Sequence, residues 1–260
     1  MPKALIFSLN CLKQTTKHLK PPSFTDSIIY EDDNYLVINK WPGISTLSDR
    51  HQEVCLLDQA RRYQIDIQVC HRLDKDTSGM LVFAKNQDAY RFLSMQFQNR
   101  SVEKVYHAIV EGRHQFSSEI VSLPLFAGRR GHVRVSHAAG KESETMLDTI
   151  EQFKLHTLVQ CKPTTGRTHQ IRVHLSALDA PIVGDLSYGG HELFLSNLKR
   201  HYNLSKDTLE PALMARPALH ARSIKFQISE NNSEVFEAEY PKDFKVTIKQ
   251  LYKYRTYSYG

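Results

Sequence analysis

Short apolar runs separated by charged or turn-forming segments recur along most of this chain. Apolar positions at 27–30 and 35–39 flank the sequence EDDN, a pattern typical of two β-strands joined by a turn. Runs of similar length predict strands at 80–84 and 157–161. Further strands are predicted in KVYHAIVEG, EIVSLPLFAG, RRGHVRVSH and ETMLDTIEQF, and a closing hairpin in LHARSIKFQI and VFEAEYP.

Helical spacing of apolar residues is less frequent. Asn86 is a favourable N-cap, and the apolar residues that follow it at helical spacing are Ala89, Phe92, Leu93 and Phe97. A second helix is predicted in RTHQIRVHLSALDAP, capped by Thr165 or Thr168, with one face formed by Ile171, His174, Leu175 and Leu178. LLDQARRYQ predicts a short helix, and 191–217 predicts a helix and a loop.

The predicted strands outnumber the helices and arrive in consecutive pairs. This order predicts an α+β fold with a mixed, largely antiparallel central β-sheet flanked by helices and loops. Residues 1–23 lack sustained periodicity and end in KPPS, so we interpret them as an N-terminal arm before one domain over 24–260. A chain of 260 residues can bury a sizeable core.

Composition and charge indicate what kind of partner and what cellular location to expect. The 34 Lys and Arg outnumber the 28 Asp and Glu, for a net charge of +6, which favours a polyanionic partner. No run approaches the ~18 apolar residues of a membrane span, and the N-terminus lacks a leader pattern, so we expect a cytoplasmic protein without a membrane partner. The four cysteines form no C-x-x-C pair, which argues against a zinc site and a disulfide framework.

The densest group of charges is HRLDKDTSG, directly before the predicted strand at 80–84. It differs from the kinase catalytic loop, because its aspartate is one position late and the required asparagine, DFG and glycine-rich motifs are absent. Considered alone, the segment is typical of a charged β-turn in which Asp74 and Asp76 accept backbone N–H bonds.

A second polar block, TGRTHQIRVHL, places Arg167 and Arg172 on either side of a predicted helix start. Arginine holds a carboxylate in a bidentate geometry, so this helix start and the carboxylate-bearing loop are natural partners. His169 and His174 lie about 140° apart on a helix and cannot share a metal as H-E-x-x-H does. We interpret both as structural, with His169 near solvent and His174 facing the core.

Taken in order, several blocks resemble the RluA-type pseudouridine synthase family. IIYEDDNYLVINKWPG is similar to its leading motif, and LHARSIKF to its closing motif. Between them stand HRLDKDTSGMLVFAK, KVYHAIVEG and KPTTGRTHQIRVHLSALDAPIVGDLSYGG. The resemblance runs from about residue 27 to 244 and implies the pseudouridine synthase fold. It also implies isomerisation of uridine in RNA to pseudouridine, without a cofactor or metal.

The resemblance implies roles for individual residues. Asp74 corresponds to the catalytic carboxylate and Arg172 to the arginine that pairs with it, so removing Arg172 should harm turnover more than folding. Tyr106 corresponds to the tyrosine that contacts the uracil and assists removal of the C5 proton, although a buried strand residue is the alternative. Asp76 is similar to a loop-stabilising position.

Two RNA-binding positions follow from the same resemblance. Arg72 corresponds to the arginine that enters the space left by the flipped base, with a surface charge on phosphate as the alternative. Ile171 corresponds to an apolar residue near the uracil, or it belongs to the core. Independently of the resemblance, the pattern of basic residues suggests a phosphate path, for which a solvated surface charge is the alternative at each position: Lys104, Arg129, Arg130, Arg134 and Arg167. The expected partner is ribosomal or transfer RNA, bound by a monomer.

The chain departs from the family pattern in three places. Trp41 stands where proline is usual, Lys75 where arginine is frequent, and 191–217 separates SYGG from LHA. The last departure leaves the choice of RNA open. Fewer than 30 residues precede the domain, so we expect no N-terminal S4 RNA-binding domain. The remaining alternatives are a noncatalytic RNA-binding or RNA-remodelling protein with this fold, and an RNA glycosidase that releases free uracil.

Overall fold

The computed structural model describes residues 22–48, 54–128, 131–203 and 209–254. Nearly all of the predicted N-terminal arm lies outside these ranges, as do the predicted RNA-binding residues Arg129 and Arg130. Two short 3-10 turns, Thr25–Ser27 and Leu186–Tyr188, accompany the regular elements of the described part.

Strands dominate the described part of the chain, as the sequence predicts. In chain order they are β1 (Ile28–Glu31), β2 (Tyr35–Lys40), β3 (Gln68–Val69), β4 (Ser78–Ala84), β5 (Glu103–Glu111), β6 (Glu119–Ser122), β7 (Leu125–Ala127), β8 (Val133–Val135), β9 (Glu144–Gln152), β10 (His156–Pro163), β11 (Leu219–Ser229) and β12 (Asn232–Glu237). The helices are α1 (Leu56–Tyr63), α2 (Gln87–Gln98), α3 (Gln170–Ala177), α4 (Leu195–Leu198) and α5 (Lys242–Lys253).

Ten strands form one sheet, whose main path runs β1-β2-β4-β11-β5-β10-β9-β6. The β4–β11 pair is parallel and the other pairs of this sheet are antiparallel. β7 and β8 form a separate two-stranded hairpin. The predicted α+β class with a mixed, largely antiparallel sheet is therefore confirmed.

β4 is an interior strand of the sheet, between β2 and β11, and its burial explains why its sequence is apolar on both faces. All seven residues of β4 are buried. Gly79 has φ +111°, and a Cβ built there would lie 2.1 Å from the Ala221 carbonyl oxygen of β11. Only glycine permits this approach of the two backbones. The charged loop before β4 is thereby fixed beside β11.

Two buried clusters cover the two halves of the sheet. One surrounds β2, β4, α1 and α2, with Leu36, Phe83 and Leu93 among its fully buried members. The other joins β5, β10, α3 and α5, and includes Ile109, Leu175 and Phe244. Asn86 caps α2 as predicted, because its side chain accepts the Ala89 N–H at 2.9 Å.

Two local predictions differ from the structure. Neither Thr165 nor Thr168 caps α3: the N-cap is His169, in a left-handed conformation at φ 53°. Thr165 is occupied elsewhere, since its hydroxyl donates to Gln170 Oε1 at 2.7 Å and accepts the Glu144 N–H at 3.1 Å. No helix was predicted after VFEAEYP, yet α5 follows it and buries one face in the second cluster.

No helix among the described residues is long and apolar enough to cross a membrane.

Candidate active site

A cavity of about 510 Å³ opens beside the charged loop that precedes β4. Four segments form its walls: the loop at 70–77, the end of α2 with the turn after it, the middle of β5, and the turn and first residues of α3 at 163–172. The two polar blocks of the sequence, about 100 residues apart, thus face each other across one space.

Asp74 lies in this cavity with its side chain 21 % exposed. Its Oδ2 atom is 3.4 Å from Nη1 of Arg172 and 3.7 Å from Nε2 of His169. The carboxylate therefore faces cationic and N–H-bearing side chains of α3 and its N-terminus. The side chain of Asp74 is thus directed into the cavity and toward α3.

Arg172 makes its shorter contacts with a residue that was not predicted. Its Nε and Nη2 atoms donate to the two carboxylate oxygens of Asp185 at 2.6 and 2.7 Å. Asp185 is 1 % exposed, so the pair is a buried bidentate ion pair. Asp185 fixes the guanidinium, and the remaining Nη1 is directed to Asp74. A buried arginine requires such a partner, and Asp185 stands in the GDLSYGG part of the resembling block.

Tyr106 projects from β5 into the same cavity and its ring is partly buried. Burial raises the pKa of its hydroxyl, and the charge of Asp74 raises it further. The phenol is therefore protonated at neutral pH and offers an O–H group. Ile171 is 6 % exposed and also lines the cavity, so it serves both the core and the cavity wall.

Lys40, which is buried, and Arg216, which is partly buried, both donate hydrogen bonds to backbone carbonyls of the Asp74 loop. Lys40 is fully buried, and its ammonium donates to the carbonyls of Trp41, Ile44 and Lys75 at 3.2, 3.0 and 2.9 Å. Arg216 donates to the carbonyl of the next loop residue, Asp76, at 2.9 Å. The Nε and Nη2 atoms of Arg216 form a bidentate pair with the carboxylate of Asp243 in α5, at 2.7 and 3.0 Å. These contacts set the loop geometry without involving the Asp74 side chain.

Lys40 makes stability depend on pH. Burial lowers its pKa to about 7 in the folded chain, whereas an unfolded lysine titrates near ~10.4. Because the unfolded chain binds the extra proton between these values, the free energy of unfolding should rise with pH, by about 2 kcal/mol from pH 7 to pH 9. Chemical denaturation should show this rise in wild type and in the exposed-site control Lys75→Met. The rise in unfolding free energy should be absent in Lys40→Met. An equal rise in that variant would mean that other titratable groups cause it.

His169 and Tyr188 form a polar contact at the edge of the cavity. His169 Nδ1 is 2.8 Å from the Tyr188 hydroxyl, and the Arg172 guanidinium lies 4.8 Å from the centre of the Tyr188 ring. His169 is thus a cavity residue as well as a helix cap. His174 faces the core as predicted, fully buried, with its ring nitrogens 2.9 Å from Ser143 Oγ and 3.0 Å from Thr145 Oγ1.

Cations surround the opening of the cavity. Arg72 and Arg167 are exposed on its rim, and Lys104 is partly buried, with Nζ 3.4 Å from the Thr165 carbonyl. Arg100, which was not predicted, also lines it, from a left-handed position at φ 58° after α2. Among the described residues of the cavity wall, Asp74 is the one carboxylate. The site therefore attracts an anionic ligand and presents one acidic group to it.

Within the described ranges, no group of three or more His, Cys, Asp or Glu side chains is arranged to hold a metal ion. Arg134, a predicted contact with RNA phosphates, lies 5.4 Å above the Phe126 ring in the β7–β8 hairpin and away from the cavity wall.

Comparisons with known proteins agree with this geometry. Residues 34–177 match the family model described as RNA pseudouridylate synthase. The chain is 36% identical over 252 residues to ribosomal large subunit pseudouridine synthase D of Borreliella burgdorferi, covering 90% of this chain and 71% of that protein. It is 38% identical over 188 residues to the dual-specificity RNA pseudouridine synthase RluA of Vibrio vulnificus, covering 68% and 75%.

A solved structure gives the same result for the fold. Human RNA pseudouridylate synthase domain containing 4 superimposes with a TM-score of 0.65 and 26% identity, covering 88% of this chain and 94% of that one. The sequence match spans the Asp74 loop, β5 and the start of α3, which are the segments that build the cavity. The chain therefore belongs to the RNA pseudouridylate synthase family and is an isomerase that converts uridine in RNA to pseudouridine.

Proposed function

We propose that this chain modifies large-subunit ribosomal RNA and that Asp74 is its catalytic carboxylate. The observation that supports the proposal is the cavity: one carboxylate, set against Arg172, in a wall that otherwise carries cations. The relatives named as ribosomal large subunit pseudouridine synthases C and D favour that RNA. Transfer RNA is the other candidate expected from the sequence; one relative is named a dual-specificity RNA pseudouridine synthase, and that name does not restrict it to the ribosomal large subunit.

The reaction needs few groups. The N1–C1′ bond of uridine breaks, a C5–C1′ bond forms, the C5 proton leaves and N1 gains a proton, so the isomerisation is redox-neutral. Asp74 begins this sequence as a nucleophile or base, and Arg172 orients its carboxylate. In the proposal Tyr106, which lines the same cavity as Asp74, assists removal of the C5 proton.

The target base must leave its stack before it reaches Asp74. Flipping costs a few kcal/mol, and contacts between the protein and the opened RNA offset that cost. Arg72 is exposed and lies two residues before Asp74 on the cavity rim. In the proposal its guanidinium enters the space that the uridine leaves, while Ile171 packs against the flipped uracil.

The remaining rim cations bind phosphates. Lys104, Arg167 and Arg100 lie around the opening, and RNA affinity should therefore fall with rising salt concentration. Arg129 and Arg130 are proposed for the same role from the sequence alone.

Lys104 gives this binding a pH dependence. Burial lowers its pKa to about 8, so the ammonium loses its charge as pH rises through that value. We expect RNA affinity of the wild type to fall from pH 7 to pH 9 by about threefold, the size of one partly screened ion pair. Lys104→Arg should remove this fall, because arginine stays charged. Filter binding at fixed ionic strength measures it, and an undiminished fall in Lys104→Arg would exclude Lys104 as its source.

Tritium release tests the function. RNA transcribed with 5-tritiated uridine loses tritium to water only when C5 becomes the glycosidic carbon. Large-subunit ribosomal RNA and transfer RNA, supplied separately, should release tritium with the ribosomal pool favoured. Release from transfer RNA alone would overturn the proposed substrate. Labelled free uracil in place of tritiated water would indicate glycosidase chemistry.

A further inference from the structure

We propose that Tyr188 and His169 are positioning residues for Asp74: two hydrogen bonds, from Val133 of β8 to Tyr188 and from Tyr188 to His169, set the His169 ring, whose Nε2 then faces the Asp74 carboxylate at 3.7 Å. The proposal rests on Asp74 being the catalytic carboxylate. Neither residue was given a catalytic role by the sequence, and His169 was interpreted as structural. This positioning chain runs from the Val133 N–H to the Tyr188 hydroxyl and then to His169, which faces Asp74.

The first step fixes the direction of the Tyr188 hydroxyl. The Val133 N–H of β8 donates to the Tyr188 oxygen at 3.1 Å. The oxygen is thereby an acceptor in this contact, and its own proton is free for another partner. The nearest nitrogen is His169 Nδ1 at 2.8 Å. We assign Tyr188 as the donor and His169 Nδ1 as the acceptor, because the reverse tautomer would direct the Nε2 lone pair at the Asp74 carboxylate.

The second step fixes the tautomer of His169. A neutral imidazole that accepts at Nδ1 carries its proton on Nε2. Burial lowers the pKa of His169, although the charge of Asp74 opposes this, so the ring is neutral at neutral pH. Nε2 faces Asp74 Oδ2 at 3.7 Å. The hydroxyl of Tyr188 thus selects the tautomer that presents an N–H group to the catalytic carboxylate.

The third step concerns which oxygen is held. Arg172 Nη1, at 3.4 Å, approaches the same Oδ2 atom as His169 does. Arg172 donates a hydrogen bond to this oxygen, whereas the His169 N–H faces it from beyond hydrogen-bond distance; together they orient the carboxylate and leave Oδ1 for a bound uridine. The other charged or titratable groups near His169 are Arg72 on the loop, Asp185, which is bound to Arg172, and His132, whose ring stacks on Tyr188 at 5.5 Å.

The backbone conformation of His169 further supports a positioning role for this residue. Its φ of 53° and ψ of 19° are left-handed, a conformation that disfavours most side chains by ~1–2 kcal/mol. Such strain persists where the surroundings hold the residue firmly, and it clusters at functional sites. At this backbone position the imidazole reaches both Tyr188 and Asp74.

The test compares variants that alter single links of the chain. Tyr188→Phe keeps the ring on Arg172 and removes only the hydroxyl. His169→Asn suits the left-handed backbone but shortens the side chain, and His169→Gln restores an N–H near the Nε2 position. His201→Asn is the matched control, because His201 is also left-handed, at φ 59°, and lies outside the cavity wall. Each protein is assayed by tritium release for kcat and KM, after thermal unfolding has shown that it folds.

We expect Tyr188→Phe to lower kcat about tenfold and His169→Asn about thirtyfold, the range for removing one polar partner of a partly buried group, with KM unchanged within about twofold. His169→Gln should recover part of the loss, and His201→Asn should match wild type. Because Tyr188 acts through His169, the double variant Tyr188→Phe/His169→Asn should be no slower than His169→Asn alone.

Two results would overturn the proposal: wild-type kcat in Tyr188→Phe, or losses that multiply in the double variant. An Asp74→Asn reference separates this failure from failure of the proposed function. If Asp74→Asn is inactive and Tyr188→Phe is fully active, only the positioning chain is rejected. If Asp74→Asn retains turnover, the catalytic assignment itself is rejected.

Discussion

Asp74→Asn should abolish pseudouridine formation, lowering the rate at least about 1000-fold, while RNA affinity changes by less than about threefold. The substitution keeps the shape of the side chain and removes its charge and its nucleophilic oxygen. Binding survives because the rim cations that contact RNA are untouched. A neutral amide also relieves repulsion of phosphate, so affinity is expected to rise slightly if it changes at all.

The matched control for this variant is Asp76→Asn. Asp76 lies on the same loop and the substitution changes the charge equally, but the loop contact of Asp76 is made by its backbone carbonyl with Arg216. The turnover rate of Asp76→Asn should stay above about a tenth of the wild-type rate, because the substitution lies away from the reacting atoms. Tritium release under single-turnover conditions measures both. Equal losses in the two variants would mean that the charge of the loop, and not Asp74, governs turnover.

Arg172→Met should harm folding as well as turnover. Arg172 neutralises Asp185, which is 1 % exposed, and its removal leaves a buried carboxylate without a partner. Breaking such a pair costs about 3–5 kcal/mol of unfolding free energy. The structure therefore adds a stability effect to the turnover effect expected from the sequence, because Asp74 is the more distant of the two carboxylates that Arg172 contacts.

A double variant separates these effects. Arg172→Met/Asp185→Asn removes the uncompensated charge and should recover more than half of the lost stability in urea denaturation. It should remain catalytically impaired by at least about 100-fold, because Asp74 still lacks its cation. Full recovery of turnover together with stability would show that Arg172 acts only through the fold.

The strands and the two helices that line the cavity, α2 and α3, could be predicted because each has a clear local pattern. Met80, Leu81 and Val82 signal a central strand, and Asn86 signals the start of α2. Asp74 and Arg172 could be brought together because a carboxylate-bearing loop and a cationic helix start are complementary. These inferences need only local sequence and charge.

Other features depend on tertiary structure. Lysine is almost never fully buried, so nothing local indicates that Lys40 joins the Lys75 carbonyl of the loop to the Trp41 and Ile44 carbonyls of the turn after β2. The left-handed cap at His169 is equally hidden, because glycine or asparagine is the usual signal for that conformation. Asp185 and Tyr188 lay within a resembling block, but their roles follow from where a short 3-10 turn places them beside α3.

The strand order has a consequence for how the site assembles during synthesis. β4 and β5 carry or adjoin Asp74 and Tyr106, yet the strand between them in the sheet is β11, which begins at residue 219. Contacts of such long sequence separation form slowly. A nascent chain that has exposed only the segment matching the family model, 34–177, contains these two residues and Arg172 but lacks the strand that joins the two halves. We therefore expect the site to become active late in synthesis, only after β11 has inserted between β4 and β5.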